Sequence, residues 1–311
     1  MEKNSITITY LSKVSFASLN GADKEVDNIN PIKKVTLANG EELPYVSSQA
    51  IRRALRDRLN EMGWELSPLS EASAKKGAPK TMGDPKKYLD DDLFGYMDAQ
   101  AGKDGAAGTS NTRTSPIRVE SLLALSEYKG DLDFGTNYMG KGLKDSEGKD
   151  IQPNIFETEI HSGLYRGTLL IELDRVGRDK IYDDEKKQLK DVNFVNDDER
   201  CKRVLGLLDA FRNLWSSGRQ SRFLADISPK FIAAAYMKTK NPIFLEAVTL
   251  NEKNQVQSEK LKTVVSDYDK FIEEHVFAGQ EAVFDKAEGV ESLKTGFETI
   301  EMWVKNYYNQ E

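Results

Sequence analysis

A short run of basic residues at helical spacing is the part of this sequence best suited to bind a charged ligand. It lies at 47–56 and reads Ser-Ser-Gln-Ala-Ile-Arg-Arg-Ala-Leu-Arg. On a helix that begins at Ser48, one face carries an amide and three guanidinium groups, and the opposite face is apolar. The residues of this basic face are Gln49, Arg52, Arg53 and Arg56. Arginines on one stripe match the spaced phosphates of a nucleic-acid backbone, because a guanidinium can bind a phosphate through two parallel hydrogen bonds.

The same stripe is also compatible with an ordinary solvent-exposed helix face. Ser47 or Ser48 can cap the helix, which leaves free backbone N–H groups and the positive end of the helix dipole near the stripe. We expect no carboxylate within the basic face, because Asp57 lies to its side. Solvated faces usually mix Glu with Lys, whereas this one has only arginine and glutamine. The stripe alone leaves a phosphate site and a solvated face equally open.

Two further basic positions could contribute to a phosphate site. The run Gly-Arg-Gln-Ser-Arg at 218–222 follows a predicted helix, and such a turn offers backbone N–H groups together with the guanidinium of Arg219. Capping of the helix C-terminus by Arg219 is the alternative. Arg166 lies between Gly163 and Gly167, which allow another backbone to approach closely.

Groups suited to catalysis are scarce in this chain, which has two histidines. His161 precedes a predicted strand and could reach a ligand, although a surface histidine with satisfied hydrogen bonds is more common there; His275 is predicted on a helix. Acidic runs at 90–92, 183–185 and 197–199 are interpreted as structural, because adjacent carboxylates diverge whereas a metal centre needs converging ones. The sequence has no Walker loop, dinucleotide-binding glycine pattern or nucleophile elbow. We predict no catalytic residue, no metal and no cofactor.

The composition is typical of a soluble globular protein. Of 311 residues, 39% are hydrophobic and 31% are charged, which suffices for a core. No apolar run is long enough to span a membrane, and the N-terminus does not resemble a signal peptide. Cys201 is the single cysteine and excludes an internal disulfide, so we expect a cytoplasmic location. The net charge of -7 argues against non-specific binding to duplex DNA but leaves a local basic groove open.

Hydrophobic periodicity predicts a mixed α+β order. Alternation over 5–16 predicts a half-buried strand that includes Phe16, and an Asn-Gly turn centres a hairpin at 33–46. The basic helix is predicted to end at about Glu61, before Gly63. A core pattern returns at 117–126, a strand is predicted at 164–174, and 231–237 is predicted to be an apolar strand or buried segment. Helices are predicted at 199–215, 255–274 and 290–308. This order favours a sandwich of the ferredoxin or RNA-recognition-motif type.

Five segments occur in an order that resembles a known family. They read LNG at 19–21, YVSSQAIRRALR at 45–56, LFGYM at 93–97, HSGLYRGTLLIEL at 161–173 and RVLGLLDAFRNLWSSGRQSRFLADISP at 203–229. Together they resemble the backbone subunit of the type I CRISPR surveillance complex (Cascade), in the RAMP superfamily, and most of all its DevR-like branch. The resemblance covers about residues 5–250.

The resemblance implies an α+β fold shaped like a hand. It has a ferredoxin-like or RNA-recognition-motif palm, a helical finger insert and a thumb hairpin insert. The glycines of the finger segment separately predict that it is partly mobile near 100–112. The implied boundaries are palm at 1–65, 117–128 and 163–250, finger at 66–116, thumb at 129–162, and C-terminal helices at 251–311.

The same resemblance implies a non-catalytic CRISPR RNA-binding subunit for antiviral defence. Copies would assemble head to tail into a helical filament along one guide RNA and present it for pairing with target DNA. The expected partners are the guide RNA (crRNA), target DNA through the guide, other copies of the chain and other Cascade subunits (the 5′-end hook, large and guide-processing subunits), without a membrane. The residues expected to contact RNA are Asn20, Ser48, Gln49, Arg52, Arg53, Arg56, Arg166, Arg219, Gln220 and Arg222.

Two other functions remain open from the sequence. One is a RAMP-type endoribonuclease that processes precursor CRISPR RNA with His161 as its general base. The other is a transcriptional autoregulator, which the DevR name suggests but no helix-turn-helix pattern supports.

Overall fold

A computed structural model describes most of the chain. The described residues are 4–23, 28–69, 80–100, 109–137, 142–150, 154–183, 187–215, 222–251, 253, 255–285 and 287–309. The strands are β1 Ser5–Ala17, β2 Ile29–Asn30, β3 Lys34–Thr36, β4 Glu42–Val46, β5 Tyr96–Gln100, β6 Thr109–Arg113, β7 Ile117–Val119, β8 Leu122–Ala124, β9 Leu132–Asn137, β10 Asn154–Glu159, β11 His161–Glu172, β12 Arg178–Asp183, β13 Gln188–Asn193, β14 Phe231–Met237, β15 Ile272–Gly279 and β16 Glu291–Ser292. The α-helices are α1 Ser48–Glu61, α2 Leu89–Phe94, α3 Asp197–Arg212, α4 Ser258–Asp267 and α5 Leu293–Tyr308.

A nine-stranded sheet organises the molecule, with β1 and β11 at its centre. Its strands follow the order β16-β15-β14-β1-β11-β8-β4-β3, and β7 also pairs with β11. The four strands β14, β1, β11 and β8 are antiparallel to their neighbours, and Ile8 of β1 lies opposite both Leu169 and Ala234. Helix α1 lies between β1 and β8 in sequence, and α3 lies between β11 and β14.

Both faces of this sheet are covered. On one face, Ile6, Ile8 and Tyr10 belong to a core that includes apolar side chains of α1, α3 and α5. On the other face, Leu11 packs in a second cluster with residues of the segment after β14 and of α4, such as Phe244 and Leu261.

The prediction of a half-buried β1 is therefore wrong for most of the strand, although its bounds are confirmed. Residues 5–12 are buried on both faces because of the second layer. Thr9 is buried as well, and its hydroxyl lies 3.0 Å from that of Thr168. Phe16 is 55% exposed rather than in the core, because the pairing register shifts between Val14 and Ala17.

Three smaller sheets accompany the large one. Strands β9 and β10 form an antiparallel pair that β2 joins as a third strand, and β12 and β13 form a hairpin. In the described part of the predicted helical finger, α2 is a six-residue helix buried in the core, and β5 and β6 form a hairpin. Those residues therefore correct the expectation of a helical insert; 70–79 and 101–108 lie outside the described residues.

The C-terminal part differs from the predicted helix pair. Helix α5 is confirmed, but α4 ends at Asp267 and the chain enters β15 at Ile272. His275 is consequently on a strand, because β15 pairs with β14 and this tertiary pairing overrides local helix propensity. Among the described residues, no helix is long and apolar enough to cross a membrane.

Candidate nucleic-acid interface

The N-terminus of α1 is held by its own cap residue and by contacts from two other segments. The Ser47 hydroxyl accepts a hydrogen bond from the backbone N–H of Ala50, as predicted for a cap. The Asn20 side-chain oxygen accepts from the Ser47 N–H at 2.9 Å, and the Ser121 hydroxyl oxygen accepts from the Ser48 N–H at 3.2 Å. The side-chain oxygen of Asn20 is thus hydrogen-bonded to the terminus of the helix, where it positions α1.

The helix buries its apolar face, as the spacing predicts. Ile51, Ala54, Leu55 and Leu59 lie in the core. The predicted basic face points outward: Gln49 and Arg53 are exposed, and Arg52 and Arg56 are partly exposed. No acidic residue occupies the first turn.

A fourth arginine, Arg118 of β7, lies near α1 and pairs with Glu172 at 2.8 Å. Burial lowers the pKa of Arg52, and the charges of Arg56 and Arg118 lower it further. The guanidinium of Arg52 therefore experiences two neighbours of its own sign. An anionic group bound here would relieve this repulsion, since opposite charge favours the protonated form.

The expectation that no carboxylate compensates the basic face is wrong for two of its arginines. Arg53 Nε lies 2.9 Å from a carboxylate oxygen of Asp57, one turn further along α1. Arg56 Nε lies 3.3 Å from Asp90 of α2, a partner 34 residues away. Arg52 has no ion pair with a described residue, and its buried Nε lacks a hydrogen-bond partner.

Arg166 does not belong to this surface. Its guanidinium donates to the backbone oxygens of Glu246 and Val248 and pairs with the Glu246 carboxylate at 2.6 Å. These contacts tie β11 to the segment after β14. The Arg166 side chain is 10% exposed and paired within the subunit, which disfavours its contact with RNA; that contact stays a prediction.

Arg222 is also engaged within the protein. It donates to the Thr158 hydroxyl at 3.0 Å, pairs with Asp133 and lies 4.9 Å from the centre of the Phe156 ring. These contacts join the 222–230 segment to β9 and β10. Arg222 is therefore paired within the subunit, and its contact with RNA stays a prediction. Arg219 and Gln220 lie outside the described residues.

Comparisons with known proteins identify the family. The sequence model of the family described as "CRISPR-associated negative auto-regulator DevR/Csa2" matches residues 8–260. The chain belongs to the DevR/Csa2 family. A curated relative from Myxococcus xanthus (strain DK1622), "CRISPR-associated protein Cas7/Cst2/DevR", is 31% identical over 147 residues, which are 45% of this chain and 48% of the relative. The match thus spans about half the length of that curated relative.

Solved structures share the fold at low sequence identity. A chain of a "CRISPR RNA-guided surveillance complex, pre-nicking" superposes with a TM-score of 0.59 at 15% identity, covering 96% of this chain and 100% of the other. A chain of a "CRISPR RNA-guided surveillance complex" gives a TM-score of 0.56 at 14% identity, covering 96% and 99%.

In this DevR/Csa2 chain, His161 is enclosed rather than at an open strand mouth. It is 5% exposed, its Nδ1 lies 2.7 Å from the Tyr165 hydroxyl, and its Nε2 lies 3.4 Å from the Ser126 hydroxyl. Burial lowers its pKa, against smaller opposing effects of Glu127 and Asp131. The acidic run at 90–92 is structural, as interpreted, and within the described residues no group of three or more His, Cys, Asp and Glu side chains could hold a metal ion.

The DevR/Csa2 fold also brings residues to the basic face that sequence reasoning missed. Arg118 alternates with apolar residues on β7, but its place beside α1 depends on tertiary packing. Asp90 and Phe94 contact Arg56 from α2. Asp90 belongs to the acidic run at 90–92 and Phe94 to the LFGYM segment at 93–97, but helix spacing could not relate either residue to α1.

Proposed function

We propose that this chain is a non-catalytic CRISPR RNA-binding subunit that assembles head to tail along a guide RNA. The observation that carries the proposal is the outward basic face of α1, where Arg52 has cationic neighbours and no described carboxylate partner. Membership of the DevR/Csa2 family supports it. Gln49, Arg52, Arg53 and Arg56 then bind guide phosphates, with Ser48 and Asn20 at the helix terminus beside them.

We assign the central strands to a ferredoxin-like or RNA-recognition-motif palm. The order β14-β1-β11-β8, with α1 and α3 packed in the core on one face, supports this assignment. The β9–β10 hairpin is the thumb, within the proposed boundaries 129–162. The apolar side chains of Leu132, Phe134 and Ile155 on this hairpin are exposed, which supports a contact between the hairpin and a neighbouring subunit.

In the proposed assembly, the protein does not recognise the base sequence of the RNA or of the target DNA. Contacts to phosphates position a strand but carry no sequence information, so base pairing between guide and target DNA supplies specificity. A head-to-tail interface is heterologous and continues along the RNA instead of closing into a pair. The proposed partners are further copies of the chain and the other Cascade subunits, in the cytoplasm.

Charge reversal on α1 tests the proposal. We expect Arg52→Glu to lower RNA retention more than tenfold, because it replaces an attraction to phosphate with repulsion. Lys260→Glu is the matched control: it makes the same charge change at an exposed position of α4, which packs on the opposite face of the sheet. RNA content of the purified, folded variants is the measurement, and unchanged content in Arg52→Glu would sink the site assignment.

We propose further that the subunit does not cleave RNA. The enclosure of His161 disfavours the endoribonuclease alternative, because a general base must reach the proton it removes. Incubation of the pure protein with precursor repeat RNA tests this point. Cleavage that persists in chelator and is lost in His161→Ala would establish the enzyme instead.

A further inference from the structure

We propose that Asp90 is a positioning residue for RNA binding, acting through Arg56. This inference rests on the proposed function of the basic face. The Asp90 carboxylate holds one edge of the Arg56 guanidinium so that its other edge stays directed to a phosphate. Asp90 thereby links the buried helix α2 to the outer surface of α1.

The geometry gives Arg56 two contacts with α2. Its Nε lies 3.3 Å from Asp90 Oδ2, and its guanidinium carbon lies 4.6 Å from the centre of the Phe94 ring. Asp90 is 2% exposed and the Arg56 side chain is 24% exposed. The carboxylate is therefore inside the protein, whereas part of the guanidinium reaches the surface.

Asp90 is itself held in place. Its Oδ1 accepts a hydrogen bond from the Ser67 backbone N–H at 2.8 Å, and Leu89 and Leu93 on the same helix are buried in the main core. Because both the carboxylate and the ring of Phe94 belong to this packed helix, the orientation of Arg56 follows from the core. Rotation of the guanidinium would break the Nε contact.

The donor arrangement of arginine explains why this contact favours phosphate binding. A guanidinium has five N–H donors in one plane. Among the described residues, the hydrogen bonds of the Arg56 side chain run through Nε alone. The two terminal nitrogens remain as a fork for two phosphate oxygens, and less side-chain freedom is lost on binding than for an unrestrained arginine.

The ion pair of Arg53 makes the contrast clear. Arg53 is 70% exposed and its partner Asp57 lies on the same helix surface. Such an exposed pair is weak and gives way to a phosphate. Asp57 competes with RNA, whereas Asp90 approaches Arg56 from the protein side.

Asp90→Asn is the variant that tests the inference in the full chain. Asparagine keeps an oxygen acceptor for the Ser67 N–H but can turn an amide nitrogen toward Arg56. We expect the affinity of this variant for a single-stranded RNA of guide length to fall about 3- to 10-fold. Without the Asp90 carboxylate, the Arg56 side chain is less restrained and loses more conformational freedom when it binds a phosphate. Glu273→Gln is the control. Glu273 is on β15, outside the basic face, and the substitution likewise removes a carboxylate from an ion pair, here with Lys238.

A double-mutant cycle separates positioning from a general effect on folding. In an Arg56→Gln background, Asp90→Asn should cause no further loss of affinity, because the residue through which it acts is gone. The salt dependence of binding should weaken by about one phosphate contact in Arg56→Gln. Melting temperatures of all variants are measured in parallel.

Two results would overturn the inference while the proposed function stands. In the first, Asp90→Asn binds RNA like the wild type although Arg56→Gln binds it weakly. In the second, Asp90→Asn weakens RNA binding equally in the wild-type and the Arg56→Gln backgrounds. If Arg52→Glu and Arg56→Gln both bind RNA like the wild type, the assignment of the RNA site to α1 fails and the inference fails with it. A wild-type protein that binds no RNA would overturn the proposed function itself.

Discussion

The arginines of this chain differ in the groups that surround them. Arg166 and Arg222 donate to backbone or side-chain acceptors of neighbouring segments and hold the fold together. Arg52 instead lies near Arg56 and Arg118 without a described carboxylate partner. Residue type and helical spacing predicted the basic face, but the carboxylates that compensate it could be predicted only in part. Asp57 is close in sequence, whereas Asp90 reaches Arg56 through tertiary packing.

The enclosed side chain of His161 should make the stability of the folded protein depend on pH. Burial lowers its pKa, so between its folded value and the ordinary value near 6.5 the unfolded chain binds more protons than the folded one. Stability from this group is therefore present above about pH 6.5 and is lost as the pH falls below it. We expect the melting temperature of the wild type to fall more between pH 8 and pH 5 than that of His161→Gln. Parallel pH profiles for the two proteins would contradict this account.

At the scale of elements, local patterns predicted the strands and helices whose periodicity is regular. The hairpin at 33–46, α1, β14 and α5 all occur where the sequence indicates them. The layer over the second face of the sheet could not be predicted, because it joins Leu11 of β1 to residues more than two hundred positions later. Strand β15 was missed for the same reason, since its pairing with β14 decides its conformation.

Helix α3 packs closely against the segment after α1 at Gly206, and a substitution of this glycine tests that packing. A Cβ added to Gly206 would lie 2.7 Å from the Trp64 ring. Glycine to alanine in a helix interior usually stabilises by about 1 kcal/mol. We expect Gly206→Ala to lower the free energy of unfolding instead, because the indole must move.

The background variant Trp64→Leu separates the two effects of that substitution. Without the indole, Gly206→Ala should recover at least part of the usual helix gain. Chemical denaturation of the four proteins measures the coupling. A Gly206→Ala protein more stable than the wild type would contradict the packing described for Trp64.

At the scale of the whole molecule, one carboxylate joins several elements. Asp92 of α2 is fully buried, pairs with Arg113 of β6 and lies 2.9 Å from Arg203 of α3. It also accepts from the Gly177 N–H, in the turn after β11. We expect Asp92→Ala to reduce the free energy of unfolding by about 3–5 kcal/mol. It removes the fully buried carboxylate that Arg113 and Arg203 share and leaves them only the more exposed partners Asp179 and Glu199.

Asp57→Ala is the matched control for Asp92→Ala. Its partner Arg53 is exposed, so removal of this ion pair should cost less than about 1 kcal/mol. Urea unfolding measures both variants. Equal losses would contradict the distinction between a carboxylate that holds the fold and one on the binding surface.

The central claim concerns the whole molecule, since a chain of net charge -7 is proposed to bind RNA through one basic face. The most direct test is the RNA content of the wild-type protein purified together with the products of its neighbouring genes. The account predicts a high absorbance at 260 nm and RNA of one defined length bound to many-subunit particles. A clean, RNA-free monomer under the same conditions would contradict it.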